Sequence, residues 1–401
     1  MTTAPRQIEH EVEGLRALAA LMVLYTHLFA PHHDVDPGYQ PSETWYRFEA
    51  GQGAVLLFFV LSGYVIGLTN QGTFSAAAGR RYLWRRFVRL VPLFWIALAL
   101  SVAVLPVDSW PVIVGNVFFL HNDLPYGPVK IPLLVANTNL WSLNYEALYY
   151  LLFVGLWAWN FGAIRPGVAA AMLVVLGLVI PGFPAFLTNY AAGWMFWLAG
   201  LWLARAERAT EDRERWPWPS LLLFALASWK IKPLFFLVRR AGLALPTDGW
   251  VNFTYLDFIP VCTALVMIVA LRRPKQAWAL VYTAAAVPVA FLAWRVLRGR
   301  LLADEIAVYD IIVLAGMALW WFRPSLQLFR WLAPLGAISY GIYIFQRPAQ
   351  WLIAYHTWLP AGGPATFWLR AAIITVLTLL LAWLAEKKLQ PVIKRLLLRS
   401  A

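Results

Sequence analysis

The sequence predicts an all-α, polytopic integral membrane protein with ten to twelve transmembrane helices. Of its 401 residues, 61% are hydrophobic and 13% are charged, whereas soluble globular chains carry about 25% charged residues. Apolar windows long enough to cross a bilayer recur along the chain. The 23 tryptophans and 16 tyrosines suit the aromatic belts at the two membrane surfaces. No fixed-period repeat or low-complexity linker interrupts this pattern, so we expect residues 1–401 to form one transmembrane domain.

The basic balance of the chain indicates membrane topology. The formal net charge is +13, and its lysines and arginines lie in loops beside apolar windows, as the positive-inside rule describes. We therefore expect the lipid bilayer, and no nucleic acid, as a partner. Cys262 is the only cysteine and falls within an apolar run, which excludes an intrachain disulfide. His32 and His33 stand beside Asp34 and Asp36, but adjacent histidines point apart on regular structure, and we expect no metal site.

The predicted spans follow from windows of about 17–25 apolar residues. The first two cover about 14–31 and 53–69, and a third ends near 107. Further windows occur near 141–161, 168–185, 188–205, 219–238, 254–271, 277–294, 306–322, 337–355 and 366–385. Lys230 and Lys232 interrupt the window at 219–238, so the number of spans between 219 and 322 stays open.

Charge sets the predicted orientation. Five arginines fall within Arg80–Arg89, which marks that side as cytoplasmic. Alternation of the spans then places both termini in the cytoplasm, including a basic amphipathic tail at 386–401. Residues 108–140 would lie outside, and the apolar patch at 112–120 within them is too short to cross the bilayer.

The first predicted span holds two ionisable residues. Arg16 and His27 are eleven residues apart, so they share one helical face and lie about 16 Å apart along the axis. Because ionisable side chains cost free energy in lipid, both should face a protein interior or a wet cavity. The alternatives are a snorkelling interfacial anchor for Arg16 and a satisfied interhelical hydrogen bond for His27.

Arg86 and Arg89 form an arginine pair at the start of the third span. They are three residues apart and therefore share a helical face. Two guanidinium groups on one face make a bidentate site for phosphate. Topology-setting charge explains the number of arginines in this block but not their shared face. Both interpretations stay open, and binding of a phosphorylated ligand from the cytoplasm is the sharper one.

Two later spans also carry polar faces. Ser142, Glu146, Tyr149 and Tyr150 fall at positions i, i+4, i+7 and i+8 of the fourth span, which places them on one face. The alternative is that Ser142 caps the helix and Glu146 interacts with its N-terminal dipole.

The penultimate span carries the second polar face. Ser339, Tyr343 and Arg347 repeat at four-residue spacing, with Gln346 beside them. A polar stripe on an apolar helix lines a cavity or another helix. Asp310 is a lone acid in the window 306–322, which could pair with an arginine but has no task assigned by its neighbours.

Together these residues indicate a site that binds an anionic group from the cytoplasm and reacts it or carries it part-way across. In the predicted topology His27 and Glu146 lie in the outer half of the membrane. A neutral histidine can take a proton from a hydroxyl, and a carboxylate can orient that histidine or act beside it. The residues alone do not separate a transferase from a carrier or flippase for an anionic lipid-linked sugar.

At these residues the sequence resembles the membrane-bound acyltransferase-3 family, of the O-antigen and exopolysaccharide O-acetylase type. Five stretches match its motifs in family order from residue 13 to about 350. They are Glu13–Ala19 with His27 (Asp-Gly-Leu-Arg-x-x-Ala and Arg-x10-His in the family), Phe58–Tyr64, Arg86–Arg89 with Pro92 (Arg-x-x-Arg), Trp141–Glu146 (Trp-Ser-Leu-x-x-Glu) and Ile338–Tyr343. The chain departs from the family at Glu13, where Asp is usual, and near Gln346, where many members have a histidine.

The resemblance implies an enzyme that passes an acyl group, acetyl or succinyl, from acyl-coenzyme A to a hydroxyl of a glycan, exopolysaccharide or glycolipid at the bacterial cytoplasmic membrane. His27 would be the general base or a transient acyl carrier, with Glu146 supporting it or positioning the acceptor. Arg86, Arg89 and Arg16 would hold the coenzyme A phosphates. The expected acceptor-pocket residues are Ser142, Tyr149, Tyr150, Ser339, Tyr343 and Arg347. Acyl-coenzyme A, above all acetyl-coenzyme A, enters as a substrate, and no permanently bound cofactor is expected.

Overall fold

A computed structural model describes residues 10–30, 35–107, 109–122, 130–205, 215–242, 248–270, 274–355 and 358–398. Every regular element within these ranges is a helix, which confirms the predicted all-α class. The α-helices are α1 (His10–Phe29), α2 (Glu43–Tyr46), α3 (Gly51–Thr69), α4 (Ala76–Val104), α5 (Trp110–Val117), α6 (Trp141–Ala158), α7 (Ile164–Val179), α8 (Ala185–Arg205), α9 (Trp218–Ile231), α10 (Pro233–Arg240), α11 (Ile259–Ala270), α12 (Pro274–Leu297), α13 (Ala307–Ala318), α14 (Gln327–Gly336), α15 (Ser339–Tyr355), α16 (Pro364–Trp383) and α17 (Gln390–Leu398). Short 3-10 or π segments join some of them, at Val135–Leu140, Phe253–Phe258, Leu319–Trp321 and Leu384–Leu389.

Several helical stretches are long and apolar enough to cross a membrane, so the chain is a multi-pass membrane protein. In the described part of the chain there are seven: His10–Phe29, Glu43–Thr69, Ala76–Val104, Trp218–Arg240, Phe253–Ala270, Ala277–Leu297 and Pro364–Leu398. The pair α14 and α15, bent by 62°, makes an eighth if it crosses as one span. Which side of the membrane holds the termini stays a prediction.

The expected ten to twelve spans exceed these seven or eight, and the difference has a physical cause. Helices do form at the additional windows, but α7 has 16 residues and Ala307–Trp321 is also short, which is less than a bilayer crossing needs. Helix α8 is long enough, but Asn189, Tyr190 and its tryptophans lower its mean hydropathy. The predicted tail at 386–401 is helical as far as residue 398, since Leu384–Leu389 and α17 continue directly from α16.

The described chain divides into two compact units. The first unit comprises residues 1–15, 55–71 and 162–333, and the second comprises 16–54, 72–161 and 334–401. Each unit is therefore built from segments far apart in the sequence. Whether the whole chain acts as one domain stays a prediction.

In the first unit, Arg295 and Asp310 form a buried ion pair. Arg295, near the end of α12, is 2% exposed and Asp310, in the first turn of α13, is 1% exposed. The arginine Nε donates to both Asp310 carboxylate oxygens, at 2.8 and 3.1 Å, and its Nη atoms donate to Asp304. This pairing answers the question raised by the lone acid in the sequence.

In the second unit, two prolines lie inside helices, and each leaves one backbone carbonyl without its usual donor. A side-chain amide bonds each of these carbonyls. Proline has no N–H, so Pro92 in α4 leaves the Val88 carbonyl without its usual donor, and Pro348 in α15 does the same to Ile344. The Nε2 of Gln390 donates to the Val88 carbonyl at 2.8 Å. The Nδ2 of Asn137 donates to the Ile344 carbonyl at 2.9 Å.

The end of α15 is closed by a buried arginine from α16. Arg370 is 2% exposed and donates to four carbonyl oxygens. These belong to Ile353, Ala354, Leu359 and Pro360. A cation at the C-terminal end of a helix also interacts favourably with the helix dipole.

Asp36 fixes the adjoining loop. Its carboxylate accepts hydrogen bonds from the backbone N–H groups of Gly38 and Gly362, at 2.9 and 2.8 Å, and from the Thr366 hydroxyl at 2.5 Å. Burial by itself would raise the pKa of Asp36, but these hydrogen bonds outweigh it and hold the pKa below its ordinary value. His32, His33 and Asp34 lie outside the described residues.

We expect Asp310→Ala to destabilise the protein by about 3–5 kcal/mol, because it leaves the buried Arg295 charge without its main partner. Thermal unfolding in detergent micelles measures the effect. Asp304→Ala is the matched control, since that carboxylate is 39% exposed and its loss should cost less. Equal losses for the two variants would contradict the prediction.

We expect Asn137→Ala to cost about 1–3 kcal/mol of stability, because the Ile344 carbonyl would be left buried and unbonded. Pro348→Ala restores a backbone N–H for that carbonyl, so Asn137→Ala should cost less in the Pro348→Ala background. A double-mutant cycle followed by thermal unfolding tests this coupling. Strictly additive effects would show that the proline and the amide are independent.

Candidate active site

Every predicted site residue lies in the second unit. Arg16 and His27 are on α1, where both are half-buried. The arginine pair is on α4, residues 142–150 are on α6, and the stripe 339–347 is on α15. Helix α15 packs against α4, α16 and the segment Val135–Leu140, so it is the element that the other parts of the site surround.

The arginine pair on α4 has two different environments. Arg86 lies over the rings of Tyr82 and Tyr150, with its guanidinium carbon 5.5 and 5.7 Å from the two ring centroids. Its Nε atom is buried and has no hydrogen-bond partner among the described residues. Both rings attract the cation through their π-faces. The structure therefore holds Arg86 with aromatic rings and leaves its Nε donor unused within the described chain.

Arg89 is paired with an acid that the sequence analysis did not single out. Its Nη1 donates to Glu386, in the π-helical segment after α16, and its guanidinium carbon lies 5.5 Å from the Tyr340 ring centroid. The Glu386 side chain is only 4% exposed. The Tyr340 hydroxyl in turn donates to the Leu90 carbonyl at 2.8 Å. These contacts connect α4, the start of α15 and the C-terminal helical segment at one place.

Ser142 does not cap α6. The helix begins at Trp141 without a side-chain cap, and the Ser142 hydroxyl instead lies 2.7 Å from the Tyr343 hydroxyl. Tyr343 uses its proton to donate to the Asn139 carbonyl at 2.5 Å, so Ser142 is the donor between the two hydroxyls. Two of the residues predicted to line a pocket are therefore in direct contact.

Glu146 lies beyond the first turn of α6, so an interaction with the helix N-terminus does not explain it. Its Oε1 accepts a hydrogen bond from the Tyr150 hydroxyl at 2.5 Å. The ring of Tyr150 is one of the two beneath Arg86. Tyr149 is buried and packs edge-on against Tyr145, with ring centroids 6.3 Å apart. Glu146 is thus linked through Tyr150 to the arginine pair, and Tyr149 contributes packing.

The stripe on α15 reaches α1 through a glutamine. Arg347 is 5% exposed, and its Nη1 donates to the Gln350 Oε1 at 2.7 Å. The Nε2 of Gln350 donates to the backbone carbonyl of His27 at 2.9 Å. Gln350 is a contact residue that the sequence analysis missed, although it lies eleven residues after Ser339 on the same helical face. Extending the polar stripe by one turn would have found it.

A series of contacts therefore occurs along α15. Tyr340 contacts Arg89 at one end, and Gln350 contacts His27 at the other. These two positions are ten residues apart, about 15 Å along the helix axis. Ser142 meets the same helix between them, at Tyr343.

Other predicted features fall outside this series. Asp310 belongs to the first unit and pairs with Arg295. Cys262 is buried in α11, as its apolar neighbours predict.

Glu49, a second acid near the end of α1 that the sequence analysis missed, accepts a hydrogen bond from the Thr26 hydroxyl at 3.3 Å. No group of three or more His, Cys, Asp or Glu side chains that could hold a metal occurs in the part of the chain that the structure covers.

The comparison with known proteins identifies the family. The family model described as an acyltransferase domain matches residues 9–293, well over half of the chain. The chain belongs to the acyltransferase-3 family. This acyltransferase is therefore a multi-pass membrane member of that family, as the motifs predicted. The matched range contains α1, α4 and α6 and ends before α15.

Parts of the chain are similar to two bacterial proteins. The acyltransferase is 28% identical over 120 residues to the exopolysaccharide production protein ExoZ of Rhizobium meliloti, which covers 28% of this chain and 36% of that protein. It is 28% identical over 169 residues to the peptidoglycan O-acetyltransferase OatA of Listeria monocytogenes, which covers 38% of this chain and 24% of that protein. The chain thus spans 36% and 24% of the lengths of these relatives. No solved structure matches it at the same significance.

Proposed function

We propose that this acyltransferase transfers an acetyl or succinyl group from acyl-coenzyme A to a hydroxyl of a glycan, exopolysaccharide or glycolipid at the bacterial cytoplasmic membrane. The observation that supports this most is the series of contacts along α15 from Arg89 to the backbone carbonyl of His27. It connects a basic site suited to phosphates with a histidine suited to proton transfer. The names of the two relatives, one in exopolysaccharide production and one a peptidoglycan O-acetyltransferase, support a glycan acceptor.

The arginine pair is the proposed site for the donor phosphates. Arg86 has a buried Nε with no partner among the described residues, and guanidinium groups bind phosphate through paired hydrogen bonds. Arg89 is already bonded to Glu386, so a phosphate at Arg89 shares or replaces that ion pair. Arg16 is assigned to the phosphate end of the site. It lies about 16 Å from His27 along α1, which is similar to the distance of about 15 Å between Tyr340 and Gln350 along α15.

The proposed reaction takes place at His27. Its imidazole accepts the proton of the acceptor hydroxyl, and the oxygen attacks the thioester carbonyl carbon. The new ester C–O bond forms, the C–S bond breaks, and the coenzyme A thiolate leaves and takes the proton from the imidazolium. Gln350 fixes the His27 backbone, and Glu146, held by Tyr150, positions the acceptor. The pocket residues Ser142 and Tyr343 would line the space between.

The test is a label-transfer assay with the purified protein in vesicles, acyl-coenzyme A labelled in the acyl group, and candidate glycans. We expect His27→Ala to lower turnover about 10²–10⁴-fold, because it removes the general base, while expression and thermal unfolding stay unchanged. His10→Ala is the matched control, since His10 is exposed on the same helix.

Two outcomes would contradict the proposed function. Transfer by His27→Ala within a few-fold of wild type would remove the histidine from the chemistry. Movement of labelled sugar across the vesicle membrane, with no new ester and no coenzyme A released, would instead identify a carrier for an anionic lipid-linked sugar.

We expect Arg86→Ala to raise the KM for acyl-coenzyme A about 10- to 150-fold, the value of about 1.5–3 kcal/mol for one charge-assisted hydrogen bond. Arg89→Ala should act in the same direction, and lysine at either position should restore only part of the affinity, because it lacks the planar fork. The acceptor KM should change less.

The control for charge alone is the double variant Arg80→Ala/Arg81→Ala, whose side chains are exposed on the same helix. It removes as much charge as loss of the arginine pair. A similar rise in the donor KM for this control would leave Arg86 and Arg89 as topology-setting residues only.

A further inference from the structure

Three side-chain amides meet the middle of α15. The Nδ2 of Asn139 and the Nε2 of Gln346 both donate to the Tyr343 carbonyl, at 3.2 and 3.1 Å. The Nδ2 of Asn137 donates to the next carbonyl, that of Ile344, at 2.9 Å. The three amides are therefore gathered around two consecutive carbonyls, a few residues before Pro348.

Each of these amides has an oxygen without a bonding partner. Asn137, Asn139 and Gln346 are 0%, 3% and 1% exposed, and their Oδ1, Oδ1 and Oε1 atoms accept no hydrogen bond from any described residue. Exchanging N and O within an amide would not help, because each nitrogen already faces a carbonyl oxygen. A buried polar atom without a partner is unfavourable. The site therefore offers three acceptors and requires N–H or O–H donors from outside the described chain.

The position of the amides identifies the chemistry of the missing donors. They bond the carbonyls of residues 343 and 344 of α15. These positions lie between Tyr340, which contacts Arg89, and Gln350, which contacts the backbone of His27. If phosphates bind at the arginine pair and the thioester reacts at His27, the linking arm of the donor passes this point. In coenzyme A that arm is pantetheine, which is uncharged and carries three donors: the N–H groups of two secondary amides and one hydroxyl. Neutral acceptors suit it, whereas a site for a charged group would require a counter-ion.

We propose that the side-chain oxygens of Asn137, Asn139 and Gln346 form a subsite that accepts hydrogen bonds from the amide N–H groups and the hydroxyl of the pantetheine arm. This inference rests on the proposed function, because it assumes an acyl-coenzyme A donor. It adds a part of the donor that the arginines do not contact. The arm is held by amides that also bond backbone carbonyls of α15.

The subsite makes the enzyme sensitive to the chemistry of the donor arm. Three thioesters with the same acyl group separate the contributions: acyl-coenzyme A, acyl-pantetheine without the nucleotide, and an S-acyl ethanethiol without amides. Gln346→Leu keeps the approximate volume and removes the acceptor oxygen. We expect it to raise the KM for acyl-coenzyme A and for acyl-pantetheine by the same factor, roughly 2- to 12-fold for one neutral hydrogen bond, and to leave the amide-free thioester unchanged.

The other variants serve as internal comparisons. Arg86→Ala should raise the KM for acyl-coenzyme A alone, since the other two thioesters lack the nucleotide phosphates. Asn139→Leu should act like Gln346→Leu. Asn116→Leu is the matched control, because Asn116 is a buried amide on α5 that also donates to backbone carbonyls and has an unpartnered Oδ1 among the described residues.

The outcomes distinguish this inference from the proposed function. If Gln346→Leu and Asn139→Leu change the KM of all three thioesters equally, or none of them, the amide oxygens bind water and the subsite is wrong. The transferase assignment would then still stand on wild-type activity. If the wild-type protein transfers no acyl group from any of the three thioesters, the proposed function fails and the subsite fails with it.

Discussion

Inside a bilayer, a backbone carbonyl that a proline leaves without a donor must be bonded by another part of the protein. The second unit meets this requirement twice, with Gln390 at the Val88 carbonyl and Asn137 at the Ile344 carbonyl. Each bond also joins segments that are distant in sequence. The first attaches the C-terminal helix to α4, and the second attaches the segment Val135–Leu140 to α15.

The candidate site depends on these two attachments. Gln390 lies one helical turn after Glu386, so the same helix that bonds the Val88 carbonyl also presents the acid that pairs with Arg89. Asn137 lies just before α6, so its bond to α15 accompanies the contact of Ser142 with Tyr343. The bonds made at the two prolines therefore help to position the site and also satisfy the carbonyls that the prolines leave without a donor.

The two units differ in how their buried charged and polar side chains are paired. In the first unit the charge of Arg295 is neutralised by Asp310 and Asp304, and these ion pairs have a structural role. In the second unit Arg86 rests on aromatic rings, and its Nε has no partner among the described residues. The side-chain oxygens of Asn137, Asn139 and Gln346 also have none there. Buried polar groups left incomplete in this way lower stability, and a bound donor that completes them would recover part of that loss.

Much of this protein could be predicted from local patterns. The helices, the shared faces of Arg86 with Arg89 and of the α15 stripe, and the family motifs all depend on residues within a few turns of one another, because helical periodicity is a local property. The predicted number of spans exceeds the seven or eight long apolar stretches of the described chain, because some helices at the predicted windows, such as α7, are short and others, such as α8, contain polar residues. The pairings of Arg89 with Glu386 and of Gln350 with His27 join residues 297 and 323 positions apart. Only the tertiary structure decided these contacts, since the packing of whole helices, and no short-range pattern, determines which polar side chains meet.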